Sequence, residues 1–555
     1  LPDTATTTAT ATVGDLIAAF LEECGVATAF GVISIHNMPI LDAFARRNRI
    51  RFVPARGEAG ALNMADAFAR VTGRLGVGIT STGVAAGNAA GSLVEALVAG
   101  TPVLHLTGQV ELSYLDRNRY YIHEAPRQPD MLKAVSKAFF RIWSPGEALG
   151  VLREAVRTAL TPPMGPVSVE IPIDVQAAPV AWPERIAAAP VPPQAPSPAG
   201  VDALAQRVMA TRRPLFWLGG GARGAADAAA KLADMGIGFV TSVNGRGAVR
   251  EDHPMTLGAF NVAPPVEAFY DTCDLLVVVG SRLRGNETLK HVLRLPKNRI
   301  QVDVDLAMEG RGYPVGMFVR GDAAEVLEGL VERLRGKLAI DPKFAADLAA
   351  ARKKAVDGLH DALGPNYTAL ADAVKRRLPK GAPWVRDITL SNSTWGNRYT
   401  ALTDPRQGVH SLGGAIGQGV PMAIGAALGR PDVKTVALIG DGGFALAAGE
   451  IVTAVQERAN VVYILMNDRG YGVIRNIQDA HYGGRRAYAD LVTPDFAKLA
   501  ASIGLAHKRV ATVPAFEQAL DAALATPGPA LVEVDMTALG PFAKPFAGPP
   551  VRAKV

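Results

Sequence analysis

The chain has 555 residues, 49% apolar and 20% charged, with 57 glycines and 39 prolines. That is too long for one compact domain, and too rich in core-forming residues for a disordered, collagenous or coiled-coil chain. Fifty-eight basic against 52 acidic residues leave +6; no run of roughly five or six like charges marks a nucleic-acid surface. The Thr/Ala-rich start, Leu1 to Val13, lacks the basic segment and apolar core of a signal peptide and reads as a flexible lead-in. Leu1 in place of Met points to trimming or an edited end. Short apolar runs then alternate with Ala/Leu-rich helical stretches: 75–80, 102–107, 214–218, 274–280, 299–304, 434–440 and 461–466. Continuous apolar runs of strand length suit parallel sheets covered on both faces, and none approaches the roughly 18 residues of a membrane span. The Pro/Ala-rich stretch 176–200 predicts an extended connector. The stretch 337–366, rich in Lys, Ala and Asp and ending in Gly364-Pro365, predicts a helical connector with a stop. Three doubly wound α/β domains follow, at 13–178, 200–336 and 366–540, with a Pro-rich tail. Cys24 and Cys273 allow one disulfide at most, which fits a reducing, cytoplasmic compartment and excludes a Cys-ligated zinc site.

The strongest chemical signal lies in the third piece. The run 434–440 ends in Gly440-Asp441-Gly442-Gly443, and the run 461–466 ends in Asn467-Asp468-Arg469-Gly470-Tyr471-Gly472. Asp441 and Asp468 are 27 residues apart. The intervening 449–458 has the length of a helical crossover, so the two runs are expected to be neighbouring parallel strands. Both carboxylates then stand at the carboxyl ends of strands, where open α/β sheets bind ligands. Two carboxylates and a loop carbonyl suit Mg²⁺, which recruits phosphate oxygens, and glycines let the backbone approach a diphosphate. A bare Gly-Asp-Gly also suits a plain strand-to-helix turn with Asp as a cap; the matched second loop argues against that.

These residues resemble the thiamine-diphosphate signature of the 2-oxo-acid decarboxylases, acetolactate synthases and benzaldehyde lyases. The resemblance covers nearly the whole chain, in the order pyrimidine, middle and diphosphate domain. It implies Mg²⁺ ligands at Asp441, at Asp468 (with Asn467 one residue earlier as the alternative) and at the carbonyl of Gly470. It places Gly440, Gly442, Gly443, Tyr471, Gly472 and Val473 around the cofactor, with Thr389, Ser391 and Asn392 near the diphosphate. Gly413-Gly414-Ala415-Ile416-Gly417 resembles the segment under the cofactor's bend. There the Gly414 carbonyl would receive an amino group and Ile416 would wedge the two rings together. In the first piece, Arg56-Gly57-Glu58-Ala59-Gly60-Ala61 and Met64-Ala65-Asp66-Ala67-Phe68-Ala69-Arg70 look like the family's glutamate helix. Glu58 would donate to a pyrimidine nitrogen, and burial in an apolar crevice would favour its protonated form. Ser81 to Asn88 fills the place of a Gly-Pro-Gly-Ala-x-Asn loop, with Val84-Ala85 departing from the usual Pro-Gly. Gln109 resembles a glutamine that points into the acetolactate-synthase site. His36, in Ile33-Ser34-Ile35-His36, is similar to a benzaldehyde-lyase loop histidine; a neutral imidazole there can relay protons. His123, Glu124 and His481 find no secure match.

The implied reaction is C–C bond lysis or ligation on a 2-oxo acid or 2-hydroxy ketone, through a ylid and an enamine, by a homodimer or homotetramer with sites between subunits. Ile474 stands where pyruvate decarboxylases have Glu, and Ile477 where acetolactate synthases have Trp. With Val473 they make an apolar wall for a bulky acyl group. A cyclic-dione hydrolase or acyl-CoA lyase is the variant within the family. The alternative of another class is a flavin- or NAD-linked oxidoreductase, because Gly219-Gly220-Gly221-Ala222-Arg223-Gly224 is a formal GxGxxG. The next strand, however, ends in Val240-Thr241-Ser242 without the acid a dinucleotide ribose needs. FAD or ADP binding is therefore not favoured. A small-molecule substrate is expected, and neither nucleic acid nor membrane.

Overall fold

The computed structural model describes residues 11–188 and 190–548. Most of the lead-in thus lies outside the described residues. Its last residues are structured: Thr12 caps the helix Val13–Glu23, accepting from the Asp15 backbone N–H while Asp15 accepts from Thr12 N at 2.9 Å.

Three parallel sheets carry the fold. The first has β1 (Thr28–Gly31), β2 (Arg51–Pro54), β3 (Gly76–Thr80), β4 (Val103–Gln109), β5 (Ala138–Arg141) and β6 (Val167–Pro172), in the order β2-β1-β3-β4-β6-β5. The second has β7 (Pro214–Leu218), β8 (Gly238–Thr241), β9 (Leu275–Val279), β10 (Arg299–Asp303) and β11 (Met317–Arg320), in the order β11-β10-β9-β7-β8. The third has β12 (Trp384–Arg386), β13 (Gly408–His410), β14 (Thr435–Gly440), β15 (Val461–Asn467), β16 (Ala506–Val510) and β17 (Ala530–Asp535), in the order β13-β12-β14-β15-β17-β16. The chain forms two compact units, one built on the first sheet and one on the second and third.

The apolar runs become central strands because helices cover both faces. Every residue of β3, β4, β6, β7, β9 and β15 is buried. The expected crossover is present: the helix Glu450–Gln456 joins β14 to β15, and these pair in parallel from Thr435↔Val461 to Gly440↔Met466. The second connector is more than a spacer. Its helix, Phe344–Leu363, buries Phe344, Leu348, Ala351 and Ala355 in the core of the second sheet. Gly364, at φ +76°, ends that helix, and Pro365 opens the next, Pro365–Arg377.

In each sheet the first connection runs opposite to the second, so the chain leaves neighbouring strands in opposite directions between β1 and β3, β7 and β9, and β12 and β14. The crevice outside the carboxyl ends of such a pair is where this architecture binds ligands.

Candidate active site

The loops after β12, β14 and β15 gather one group of predicted residues. Asp441 is the first residue of the helix Asp441–Leu446, behind Gly440, and is 1% exposed. Its Oδ2 accepts from the Gly470 N–H at 2.9 Å, while its Oδ1 has no partner. Burial, and then the charge and hydrogen-bond proximity of Asp468, push its carboxyl above the usual carboxylate range. Two facing carboxylates with an unpartnered buried oxygen are costly alone, and a hard cation relieves that cost. The donor set thus fits Mg²⁺: two carboxylates and a loop carbonyl, too few side chains to form a cluster of three His, Cys, Asp or Glu among the described residues.

The structure separates the two candidates at the end of β15. Asn467 turns away toward β17, donating to Glu533 Oε1 at 2.8 Å and accepting from Arg469 N at 3.2 Å. Asp468 faces Asp441. Its carboxylate folds over Gly472, where a Cβ would stand 2.0 Å from Asp468 Oδ2. Gly442 makes room for Tyr471, whose ring would meet a Cβ there at 2.6 Å. Gly443 lies against Asp387, which accepts from the Gly417 N–H at 2.9 Å and so pins the 413–417 turn to the Asp441 turn. Gly414, at φ +86°, is exposed with open space around it, and Ile416 is half-buried beside it. Thr389 borders Gly440, at 3.3 Å from a Cβ placed there. Ser391 Oγ is buried without a partner. Asn392, by contrast, faces inward: its Nδ2 is 3.3 Å from His410 Nδ1 and its Oδ1 lies against Gly396. Val473, Ile474 and Ile477 sit on the helix Gly472–His481, which has no buried residue.

In the other unit, Glu58 opens the helix Glu58–Thr72 and accepts from Asn88 Nδ2 at 3.1 Å. It is half-exposed, so this chain alone does not supply the expected crevice. Beside it, the loops after β1, β3 and β4 meet. His36 is 5% exposed in the turn Ile35–Asn37, and its ring lies edge-on to His123, with centroids 5.1 Å apart. Burial, then the charge of His123, holds the His36 imidazole below its usual value. The backbone carbonyl of His36 would collide with a Cβ on Gly108, and that of His123 with one on Gly83. Gln109 is spent on structure. Its Oε1 accepts from Thr82 Oγ1 and Val110 N, both at 2.8 Å, within a buried set that includes Gln128, Glu170 and Arg141.

Family models place this geometry. The chain matches the thiamine pyrophosphate enzyme N-terminal TPP binding domain over residues 11–131, the central domain over 201–330 and the C-terminal TPP binding domain over 390–534. It belongs to the thiamine pyrophosphate enzymes.

Relatives of this thiamine pyrophosphate enzyme include a probable 2-ketoarginine decarboxylase of Pseudomonas aeruginosa, 31% identical over 95% of this chain and 94% of that one. A chloroplastic acetolactate synthase 2 of Nicotiana tabacum is 28% identical over 94% of this chain and 81% of its own. A probable acetolactate synthase large subunit of Methanocaldococcus jannaschii is 27% identical over 93% of this chain and 90% of its own. All three domains are parallel α/β, and the chain is an enzyme of the lyase or transferase type.

In the GxGxxG of the enzyme's middle domain, Gly219 and Gly221 pack against the backbone of Gly280, whereas Gly224 has open space around it. A Cβ on Gly219 would stand 2.2 Å from the Gly280 carbonyl, and one on Gly220 2.3 Å from Asn244 Nδ2. Gly219 and Gly221 thus serve close packing at the β7/β9 switch point. Reading the sequence alone did not single out Gln128, Glu170, Asp387 or Arg475, because each acts on a partner outside its own strand or helix. Asp387 had the one visible signal, an acid directly after the short strand Trp384–Arg386. Among the described residues no helix is long and apolar enough to cross a membrane.

Proposed function

We propose that this enzyme is a thiamine-diphosphate- and Mg²⁺-dependent C–C lyase or carboligase that acts on a 2-oxo acid. The observation that carries the reading is the pair Asp441 and Asp468 at the ends of adjacent strands, with one buried oxygen unpartnered. Asp441, Asp468 and the Gly470 carbonyl would hold the cation. Thr389, Ser391 and the Gly440, Gly442 and Gly443 turn would border the diphosphate, with Tyr471, Gly472 and Val473 closing the other side. When bound, the cofactor supplies a nucleophilic carbon and an electron sink. Glu58, oriented by Asn88, would hold a proton at its carboxyl; Gly414, through its carbonyl, and Ile416 would fix the cofactor's bent shape.

His36 is the proton-relay candidate, since burial keeps its imidazole neutral. Gln109 would act indirectly by shaping the loop floor, and Val473, Ile474 and Ile477 would face the substrate's side chain. The relatives named for a 2-oxo-acid decarboxylase and for acetolactate synthases support a 2-oxo acid over a hydroxy ketone, a cyclic dione or an acyl-CoA. The absence of an acid at Val240-Thr241-Ser242, together with the packing of Gly219 and Gly221 against Gly280, argues against a dinucleotide-linked oxidoreductase. A dimer or tetramer would complete the half-exposed surroundings of Glu58.

The test is to incubate the protein with the cofactor, Mg²⁺ and a panel of 2-oxo acids, including 2-ketoarginine and pyruvate, and to follow CO₂ and products by NMR. Turnover of one acid is expected, and Glu58→Gln should keep cofactor affinity within about threefold while losing at least about a hundredfold in kcat. Turnover of no acid, or an unimpaired Glu58→Gln enzyme, would overturn the assignment.

A further inference from the structure

Arg475 lies on the first turn of the helix Gly472–His481, and no chemistry proposed above uses it. Its Nη2 donates to the Asp468 carbonyl at 2.7 Å and lies 2.9 Å from Asp468 Oδ2. Its Nη1 is 3.1 Å from Asp490 Oδ1. Asp490 belongs to a strap that runs antiparallel to the cation loop: Tyr471 N donates to Ala489 O at 2.8 Å and Leu491 N to Arg469 O at 3.2 Å. The side chains of Arg475 and Asp468 are 19% and 18% exposed, so solvent screens this pair only partly, whereas Asp490 is 77% exposed. Gly472 is what lets the pair form, because any Cβ there would occupy the position of Asp468 Oδ2.

We propose that Arg475 is a positioning residue that cancels the charge of Asp468 and ties it to the strap, so that the cation site presents one net negative charge instead of two. The proposal rests on the reading of Asp441 and Asp468 as cation ligands. Its consequence is electrostatic. With a divalent ion in place, the two carboxylates and Arg475 leave a net +1, which draws a diphosphate; without Arg475 the same site is neutral. Removing the guanidinium therefore favours the bare metal and disfavours the diphosphate. General loosening of the loop would weaken both.

The experiment is calorimetric titration of the full-length protein with Mn²⁺ alone, then with thiamine diphosphate at saturating Mn²⁺, for the wild type, Arg475→Gln and Arg475→Lys. Arg475→Gln is expected to bind Mn²⁺ about tenfold more tightly and the diphosphate about tenfold more weakly, while Arg475→Lys, which keeps the charge but not the fork, shifts less than Arg475→Gln on both. Shifts of the same sign, or no shift, would overturn the role of Arg475 and leave the cation site standing. A wild type that binds no Mn²⁺ with or without thiamine diphosphate would overturn the cation site, and this proposal with it.

Discussion

His105 shows how a residue type can suggest chemistry that its surroundings forbid. It is fully buried in β4, with Nε2 2.9 Å from Thr80 Oγ1 and Nδ1 3.0 Å from Ser168 Oγ. Burial depresses its imidazole to about 3. The folded chain keeps it neutral, whereas the unfolded chain protonates it below about 6.5. The stabilisation from the neutral ring is therefore complete above about pH 6.5 and is lost as pH falls toward 3, by up to about 1.4 kcal/mol per pH unit. Urea midpoints of the wild type should drop between pH 6.5 and 4.5, and His105→Gln should flatten that dependence; an equal slope in both would refute the assignment. At the same scale the proposed cation site was half legible. Asp441 and Asp468 stood out by position after two strands. The choice between Asp468 and Asn467 did not, because it depends on which one faces β17, and in the fold Asn467 is the one that donates to Glu533.

The strand–loop–helix units of the third sheet turn those residues into a site. The crossover from β14 to β15 was readable from spacing alone, since a parallel pair needs a helix between its members. The sequence predicts an apolar wall along the helix Gly472–His481, on which Val473 and Ile477 are half-buried and Ile474 is exposed. Its charged residue escaped notice because the partners of Arg475 lie on the loop before it and on the strap after it. Gly472 joins the two, so Gly472→Ala is an element-level test. The added Cβ, 2.0 Å from Asp468 Oδ2, must displace a short carboxylate rather than the tip of a flexible chain. The expected result is at least about a tenfold loss of Mg²⁺ affinity by titration with an unchanged circular dichroism spectrum. Unchanged affinity would show that Asp468 does not need its folded-back position.

Across the larger unit, the second and third sheets are locked by a buried ion pair. Arg246 and Glu251 are 0% and 2% exposed and 2.6 Å apart. Arg246 also donates to the Gly396 and Thr400 carbonyls, and Glu251 Oε2 accepts from Leu402 N at 2.8 Å. Glu251→Gln leaves the guanidinium buried without its counter-charge and should cost about 3–5 kcal/mol. Scanning calorimetry of the variant should show unfolding of this unit lowered in temperature, or split in two, relative to the wild type. An unshifted transition would mean that this contact does not couple the two sheets.

Sequence by itself determined the alternation of apolar runs and helices, and so three parallel sheets, because strands covered on both faces must be apolar throughout. It also determined the residues at strand ends, which carry the family's signature. Only the tertiary structure decided the pairing of Arg475 with Asp468, the direction in which Asn467 and Asn392 face, the structural use of Gln109 and the packing of Gly219 and Gly221 against Gly280. Each of these is set by a partner brought close through chain reversal, and spacing along the chain carries no record of which carbonyl, carboxylate or guanidinium will stand within 3 Å.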